Sequence, residues 1–510
     1  MGGPIPALEA RAAACADRLV GADAVLLASH IDADGLTSAA IAATALERAG
    51  IPFETVFEKQ LDETAISRMA ATDFSTVLFT DFGSGQLDAI AEHEAAGEFV
   101  PVVADHHRPA DADTEYHLNP LLVGIDGAAE LSGAGTTYAL ARALAERDAT
   151  NGHDNRDLAA LAAVGAIGDM QASGGELVGA NSEIVAEGIA AGTLEATSDL
   201  ALYGRQTRPL PKLLEYASDV SIPGITNDER GAIGFLADLD LDLRHPEDGN
   251  GGRAVGEGSD DTHGGGENGD AGSDGSIAGA RAGEWRRWVD LDGDERRTVA
   301  SALVRRALDR GVPAERAEEL VGTTYTLPAE PEGTELRDAS EFSTLLNATA
   351  RYDRADVGLA VCLGERDGAL DRARRLLATH RRNLSEGLRW VEREGVTRES
   401  HLQWFDAGER IRETIVGIVA GMALGNSGVS GGVPIVAFAR ESADETKVSA
   451  RGTHRLVREG LDLSAVMSAA SAAVGGAGGG HDVAAGATIP SGSERAFVEH
   501  ADALVGEQLG

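Results

Sequence analysis

The stretch VLLASHIDADGLTSAAIAATALERAG (25–50) decides the fold. Val25 to Ser29 form a short apolar run that reads as a buried strand. His30, Asp32 and Asp34 follow at once, and from Leu36 to Ala49 small and apolar residues suit a helix. A strand that ends in imidazole and carboxylate groups and turns into a helix delivers those groups to the carboxyl edge of a parallel sheet. HIDADG has the look of a calcium loop. An EF-hand would need a bidentate glutamate where this chain has Ile41, and would follow a helix rather than a strand, so that reading fails.

Three further clusters stand at the ends of apolar runs: FTDFG with Asp81 after TVLFT (76–80), VVADHHRP with Asp105, His106 and His107 after FVPVVA (99–104), and AVGAIGDM with Asp169. Each is read as a strand end. Helices are expected around 86–95, near 135–147 and over 156–167. Alternating strands and helices imply a mostly parallel sheet covered on both faces, an α/β domain over residues 1–195. A lone Asp81 or Asp169 would more often be a helix cap. In this order, with histidines, the clusters suggest a pair of divalent ions engaged in hydrolysis.

The chain has 510 residues, 43% of them hydrophobic, which suits two domains and their connections. Its formal net charge is -39, and its only lysines are Lys59, Lys212 and Lys447. That bias resembles proteins of salt-accumulating halophiles: at molar salt the Debye length is about 3 Å, so surface carboxylates scarcely repel one another and keep the protein hydrated. An acidic surface argues against coating of DNA regardless of sequence and leaves room for an arginine-lined groove. Cys15 and Cys362 lie outside any CxxC, which points away from zinc and disulfides and towards a reducing cytoplasm. No apolar stretch reaches a membrane span and no leader is evident, so a soluble, cytoplasmic protein is expected.

Residues 196–330 read as a helical connector containing PLPKLLEYA and, from about 244 to 283, an acidic, glycine-rich insertion. That insertion has too few apolar residues to offset the entropy of ordering it, so disorder is expected there, with His245 and His263 solvated. Residues 331–510 show a second α/β pattern, with a long charged helix over 368–393 and a glycine-rich stretch, VGGAGGGHDVAAGATIP. His93, His117 and His153 have no motif around them and read as surface or capping residues. Asn119 is placed to brace the histidine loop.

The ordered set resembles the DHH phosphoesterase superfamily, in particular RecJ-like single-strand-specific exonucleases and their archaeal relatives, the GINS-associated nucleases. The resemblance covers roughly 25–175, the DHH domain, and 338–492, the DHHA1 domain. It implies a parallel-sheet domain facing a smaller α/β domain across a cleft. It also implies one metal held by His30, Asp32 and Asp81, and a second held by Asp34, Asp81, His106 and Asp169. Mn²⁺ is the family's usual ion, and the hard carboxylate and imidazole donors also admit Mg²⁺ or Co²⁺. His107, Asp81 and Asp105 form the implied catalytic group, with His107 facing the phosphate and Asp105 orienting a neighbouring histidine. Arg451 and the Gly478, Gly479, Gly480, His481 loop match the DHHA1 substrate-binding elements, and Asn347 and Arg351 in NATARY are secondary candidates.

The implied activity is Mn²⁺-dependent hydrolysis of single-stranded DNA or RNA from an end, in replication, repair or RNA turnover. Two alternatives stand beside it: a hydrolase of short oligoribonucleotides, 3′-phosphoadenosine 5′-phosphate or cyclic dinucleotides, and a non-catalytic replication scaffold with GINS-like partners. The chain departs from full-length bacterial RecJ in showing no regular strand run with stacking aromatics for an OB-fold. Polarity, sugar preference and oligomeric state are not encoded in these motifs.

Overall fold

The computed structural model describes residues 3–147, 152–172, 175–217, 220–245, 283–425 and 428–510. The chain divides into two compact units, Met1–Arg374 and Arg375–Gly510.

The first unit opens with α1 (Glu9–Val20), β1 (Val25–His30), α2 (Ala33–Arg48), β2 (Phe53–Glu58), α3 (Glu63–Ala70), β3 (Thr76–Thr80), α4 (Leu87–Ala95), β4 (Val100–Ala104) and β5 (His117–Leu118). These strands form one parallel sheet in the order β2-β1-β3-β4-β5. Strand order reverses between β1 and β3, where chain connections diverge to opposite sides and leave a crevice at the carboxyl edge. His30 ends β1 and Asp81 follows β3, so both arrive at that switch point.

Helices α5 (Gly133–Ala145), α6 (Ala159–Gly168) and α7 (Ala180–Ala191) follow. α1, α2 and α5 bury Leu19, Ile41, Leu46 and Tyr138 on one face of the sheet, while Ile66, Met69, Phe79, Ile90 and Phe99 fill the other. The expectation that Asp169 ends a strand is corrected: AALAAVGAIG is helix α6, and Asp169 is its C-cap. A run apolar on every side belongs equally to a buried helix and a buried strand, so its pattern alone does not separate them. β2 and α1 were not anticipated.

The connector contains β6 (Glu195–Leu200), α8 (Leu210–Glu215), α9 (Glu229–Ala237), α10 (Gly293–Asp309), α11 (Ala314–Glu318) and β7 (Val321–Thr326), around buried Leu213, Phe235, Trp288 and Leu303. The expected disordered insertion and His263 lie outside the described residues, apart from the edges of that stretch. Those edges meet: His245 N–H donates to Glu284 O at 2.9 Å, and Gly283 N–H donates to His245 O at 3.0 Å.

Next come α12 (Ala339–Ala350), α13 (Ala355–Cys362) and α14 (Gly368–Glu394). The second domain was expected to start at 331; α12 packs on α2 and α6, and the division between the two compact units falls inside α14. The second unit holds β8 (Thr397–Arg398), β9 (Gln403–Asp406), α15 (Glu413–Ala423), β10 (Ile435–Arg440), β11 (Glu445–Arg451), α16 (His454–Arg458), α17 (Leu463–Ala473), β12 (Ala477–Gly480), β13 (Ala484–Pro490) and α18 (Glu494–Leu509). Its sheet runs β12-β13-β11-β10-β9-β8. Phe438 and Phe497 meet edge to face in its core. No described helix is long and apolar enough to cross a membrane.

Candidate metal centre

Each half of the centre is built by a local conformation. After β1 the chain turns through Asp32, the N-cap of α2, whose Oδ1 accepts the Gly35 N–H at 3.0 Å and whose Oδ2 lies 3.2 Å from His30 Nδ1. A side chain at Gly35 would run into the His30 carbonyl, which is why the turn ends in glycine. Asp34, one residue inside α2, is buried, and its two oxygens accept the Gly133 and Ala134 N–H groups at 2.7 and 3.0 Å. These are the first amides of α5, whose N-terminal partial charge suits a carboxylate. Gly133 is pressed against the Asp81 carboxylate, so nothing larger fits.

Asp81 joins the halves. Its Oδ2 lies 3.5 Å from His30 Nδ1, and its Oδ1 lies 3.3 Å from His106 Nε2. Asp34 and Asp169 each stand 3.8 Å from the same His106 nitrogen. The six residues form two groups with ligand atoms close enough for a shared ion each: His30, Asp32 and Asp81, and Asp34, His106 and Asp169. Asp81 holds φ at 61°, a left-handed conformation that costs a non-glycine residue roughly 1 kcal/mol or more and aims its carboxylate between the groups.

Ion pairs within the cluster leave atoms poorly served. Asp81 Oδ1 and His106 Nε2 are buried without a hydrogen bond. His106 gives its Nδ1–H to Gly127 O at 2.6 Å, which leaves Nε2 as the ring atom turned to the carboxylates. Burial first, then the charges of Asp81 and Asp169, hold the Asp34 carboxyl well above its ordinary range. Burial, with His106 opposing and Asp81 adding, pushes Asp169 up to about 6. Burial disfavours a charged His30 or His106, but the facing aspartates outweigh it and both are driven well upward. Crowded carboxylates and unsatisfied donor atoms of hard type fit divalent cations.

Asp105 is fully buried. Its oxygens accept N–H groups of His106, His107 and Ser84 at 2.8, 3.2 and 2.9 Å, and Oδ1 lies 2.8 Å from His107 Nδ1. It therefore orients the loop and His107, and with Asp81, His106 and His107 it forms a further group of donor atoms close enough to share an ion. With Nδ1 held, His107, half exposed, presents Nε2 outward. Asn119 braces this loop by donating to His107 O at 2.9 Å. His117, expected at the surface, is corrected: it is buried 2.9 Å from Ser84 Oγ, in a network that Asn119 completes. His93 stacks on Phe99, and His153 is exposed.

Sequence reading missed Gln171, which donates to both Asp169 Oδ2 and Gly127 O at 2.9 Å and so ties the second group together, with Asn181 donating to its Oδ1-equivalent oxygen, Oε1, at 2.7 Å. It also missed Gly127, Gly133, Ser84 and the burial of His117. Asn347 accepts the Ala33 N–H at 3.1 Å, and the charge of Arg351 adds to the depression of the Asp32 pKa, so both stand beside the first group.

In the second unit, Arg451 lies along Gly417 and Gly421 of α15. The expected loop at Gly478, Gly479 and Gly480 is corrected to strand β12, paired with β13. Gly478 faces Ala487 Cβ and Met467 O so closely that only glycine fits, and Gly480 takes φ 138° at the turn. His481, exposed, follows, with its N–H donating to Ala484 O at 2.9 Å. Ala484 is the register partner of Arg451, so Arg451 and His481 share one end of the sheet.

Three family models match in order: the DHH family N-terminal domain over 24–166, the DHH-CID domain over 202–253 and 273–321, and the DHHA1 domain over 402–507. The chain belongs to the DHH superfamily. An uncharacterized protein of Methanocaldococcus jannaschii is 27% identical over 489 residues, covering 94% of this chain and 93% of its own. RecJ of Thermus thermophilus with Mn²⁺ has the same fold, with a TM-score of 0.57 and 18% identity over 99% of this chain. The chain spans 55% of the length of that RecJ. CDC45 of Entamoeba histolytica gives a TM-score of 0.61 at 11% identity, covering 96% of this chain and 97% of its own. DHH superfamily members are phosphoesterases, and the RecJ-like fold here carries an acidic cluster able to bind metal.

Proposed function

We propose that this DHH protein is a Mn²⁺-dependent exonuclease that hydrolyses single-stranded DNA or RNA from an end. The observation that carries the reading is Asp81, whose two oxygens face two separate donor groups. His30, Asp32 and Asp81 would hold one ion, and Asp34, Asp81, His106 and Asp169 a second. Bound there, the ions supply Lewis-acid neutralisation of phosphodiester charge. Around them, Asp105 keeps His107 Nδ1 occupied, so the ring meets substrate through Nε2. Burial disfavours the charged ring, but Asp105 outweighs it and raises the pKa, so the imidazolium donates to a phosphate oxygen or passes its proton to the leaving alkoxide. Arg451, with His481 and the backbone after Gly480, is suited to hold a nucleic-acid backbone or terminus.

Digestion of 5′- and 3′-end-labelled DNA and RNA single strands, in high salt with Mn²⁺, tests the reading. Stepwise shortening that is lost in Asp81→Ala is expected, and equal activity in that variant would falsify the mechanism. A second reading, a replication scaffold, has in its favour the likeness to CDC45 over 97% of that chain. The complete donor set weighs against it, and co-purification of replication proteins with a metal-free, inactive chain would support it.

A further inference from the structure

The first unit contains a recess of about 400 Å³ between the end of α6, the segment after β6, and β7 with the start of α12. That volume lies within the roughly 300–1,000 Å³ of small-ligand sites. One wall is Met170, the residue after the metal-centre candidate Asp169.

Met170 is unusual twice over. It is 89% exposed, and it takes φ 58° at the position following the α6 C-cap. Gln171 N–H reaches back to Ala166 O at 3.0 Å there, the closing bond of a helix end that favours glycine. A flexible apolar side chain thus stands in water, on a strained backbone, one residue from the site of chemistry.

The rest of the lining tells against an anion. Arg205, the cation of the recess, is clamped between Asp199, at 3.0 Å, and Asp338, and Glu319 adds a further carboxylate. What remains is Ile167, Leu202 and Tyr203, whose ring carries the Arg208 guanidinium at 4.6 Å on one face, with the Ser340 hydroxyl and the Thr323 hydroxyl, which donates to Glu176 at 2.8 Å, at the edges. Apolar and aromatic surfaces with a few hydroxyls recognise a neutral heteroaromatic ring.

We infer that this recess is a nucleobase subsite. It takes the base of the nucleotide whose phosphate lies at the metal centre, with Met170 as a stacking surface. The inference rests on the phosphoesterase reading for the place of the phosphate, and it adds contact with a base independent of the Arg451 and His481 end of the second unit.

The test is equilibrium binding of adenosine 5′-monophosphate and of ribose 5-phosphate to the full chain with Mn²⁺, run beside the strand digestion. Stacking of one base predicts at least about tenfold tighter binding of the nucleotide than of the sugar phosphate. Met170→Gly relieves the strained backbone, so it should raise the thermal midpoint while abolishing most of that preference. Ala201→Phe, which fills the recess, should abolish it too, and neither change should alter ribose 5-phosphate binding. Nucleotide binding no tighter than sugar-phosphate binding, with both undetectable included, overturns the inference, as does wild-type preference in both variants. Strand digestion without base preference would remove the subsite and leave the exonuclease. Base preference without digestion of any strand would do the reverse.

Discussion

Asp169 and His107 separate the two duties of residues around the centre, holding charge and meeting substrate. In the folded, metal-free chain Asp169 keeps its proton to about pH 6, against an ordinary value of 3.8. A raised carboxyl pKa contributes stability that is present below 3.8 and lost as pH rises through 6. Thermal melts in a chelator should therefore show the wild type losing ground to Asp169→Asn between these two values. Saturating Mn²⁺ should reverse the order at neutral pH, because ligand binding stabilises only the folded state. Identical pH profiles for the two chelated proteins would rule the account out. His107→Gln keeps a polar side chain but cannot carry the proton, so kcat should fall by about 10²–10⁴ with Mn²⁺ affinity unchanged, measured by titration of the ion. An equal loss of ion affinity would instead make His107 a ligand.

At the scale of elements, the centre depends on two helix starts and a glycine strand. Asn347 on α12 accepts the Ala33 N–H at the start of α2, so Asn347→Ala should cost about 1 kcal/mol in denaturant unfolding and weaken Mn²⁺ binding. Unchanged binding would mean that α12 does not help set the first ligand group. Gly478→Val should destabilise the second unit by about 1–3 kcal/mol, since the new side chain meets Ala487 and Met467. This is also the scale at which legibility divides. β1, β3 and β4 were readable because each is a short apolar run halted by a charged group. α6 was read both ways, as a helix over 156–167 and as an apolar run ending at Asp169, because alanine and glycine on all sides blur the helical period; the helix is what forms. Ligands announced themselves as charges after apolar runs, whereas Gln171, Ser84 and His117 act through hydrogen bonds between segments far apart in sequence, which no local pattern records. The GGG stretch was taken for a loop because glycine carries no strand signal, and only its partner β13 makes it one.

For the molecule as a whole, the charge is unevenly shared. The second unit carries 14 basic and 17 acidic side chains, against 44 and 83 in the chain, so nearly all of the excess lies in the first. Raising KCl from about 0.1 M to about 2 M should raise the unfolding midpoint, with the gain concentrated in the first unit, because screening removes its self-repulsion. Hydrogen exchange followed at both salt concentrations checks this, and equal gains in both units would contradict it. The paired backbone at His245, Gly283 and Glu284 has a practical consequence. Two chain ends already held side by side make a splice point. Replacing 246–282 by a four-residue turn should leave that pairing intact, with the unfolding midpoint of the variant as the check. The same junction can receive a fluorescent reporter or an affinity tag, making it a port through which the protein can be labelled without touching any of its three described sheets.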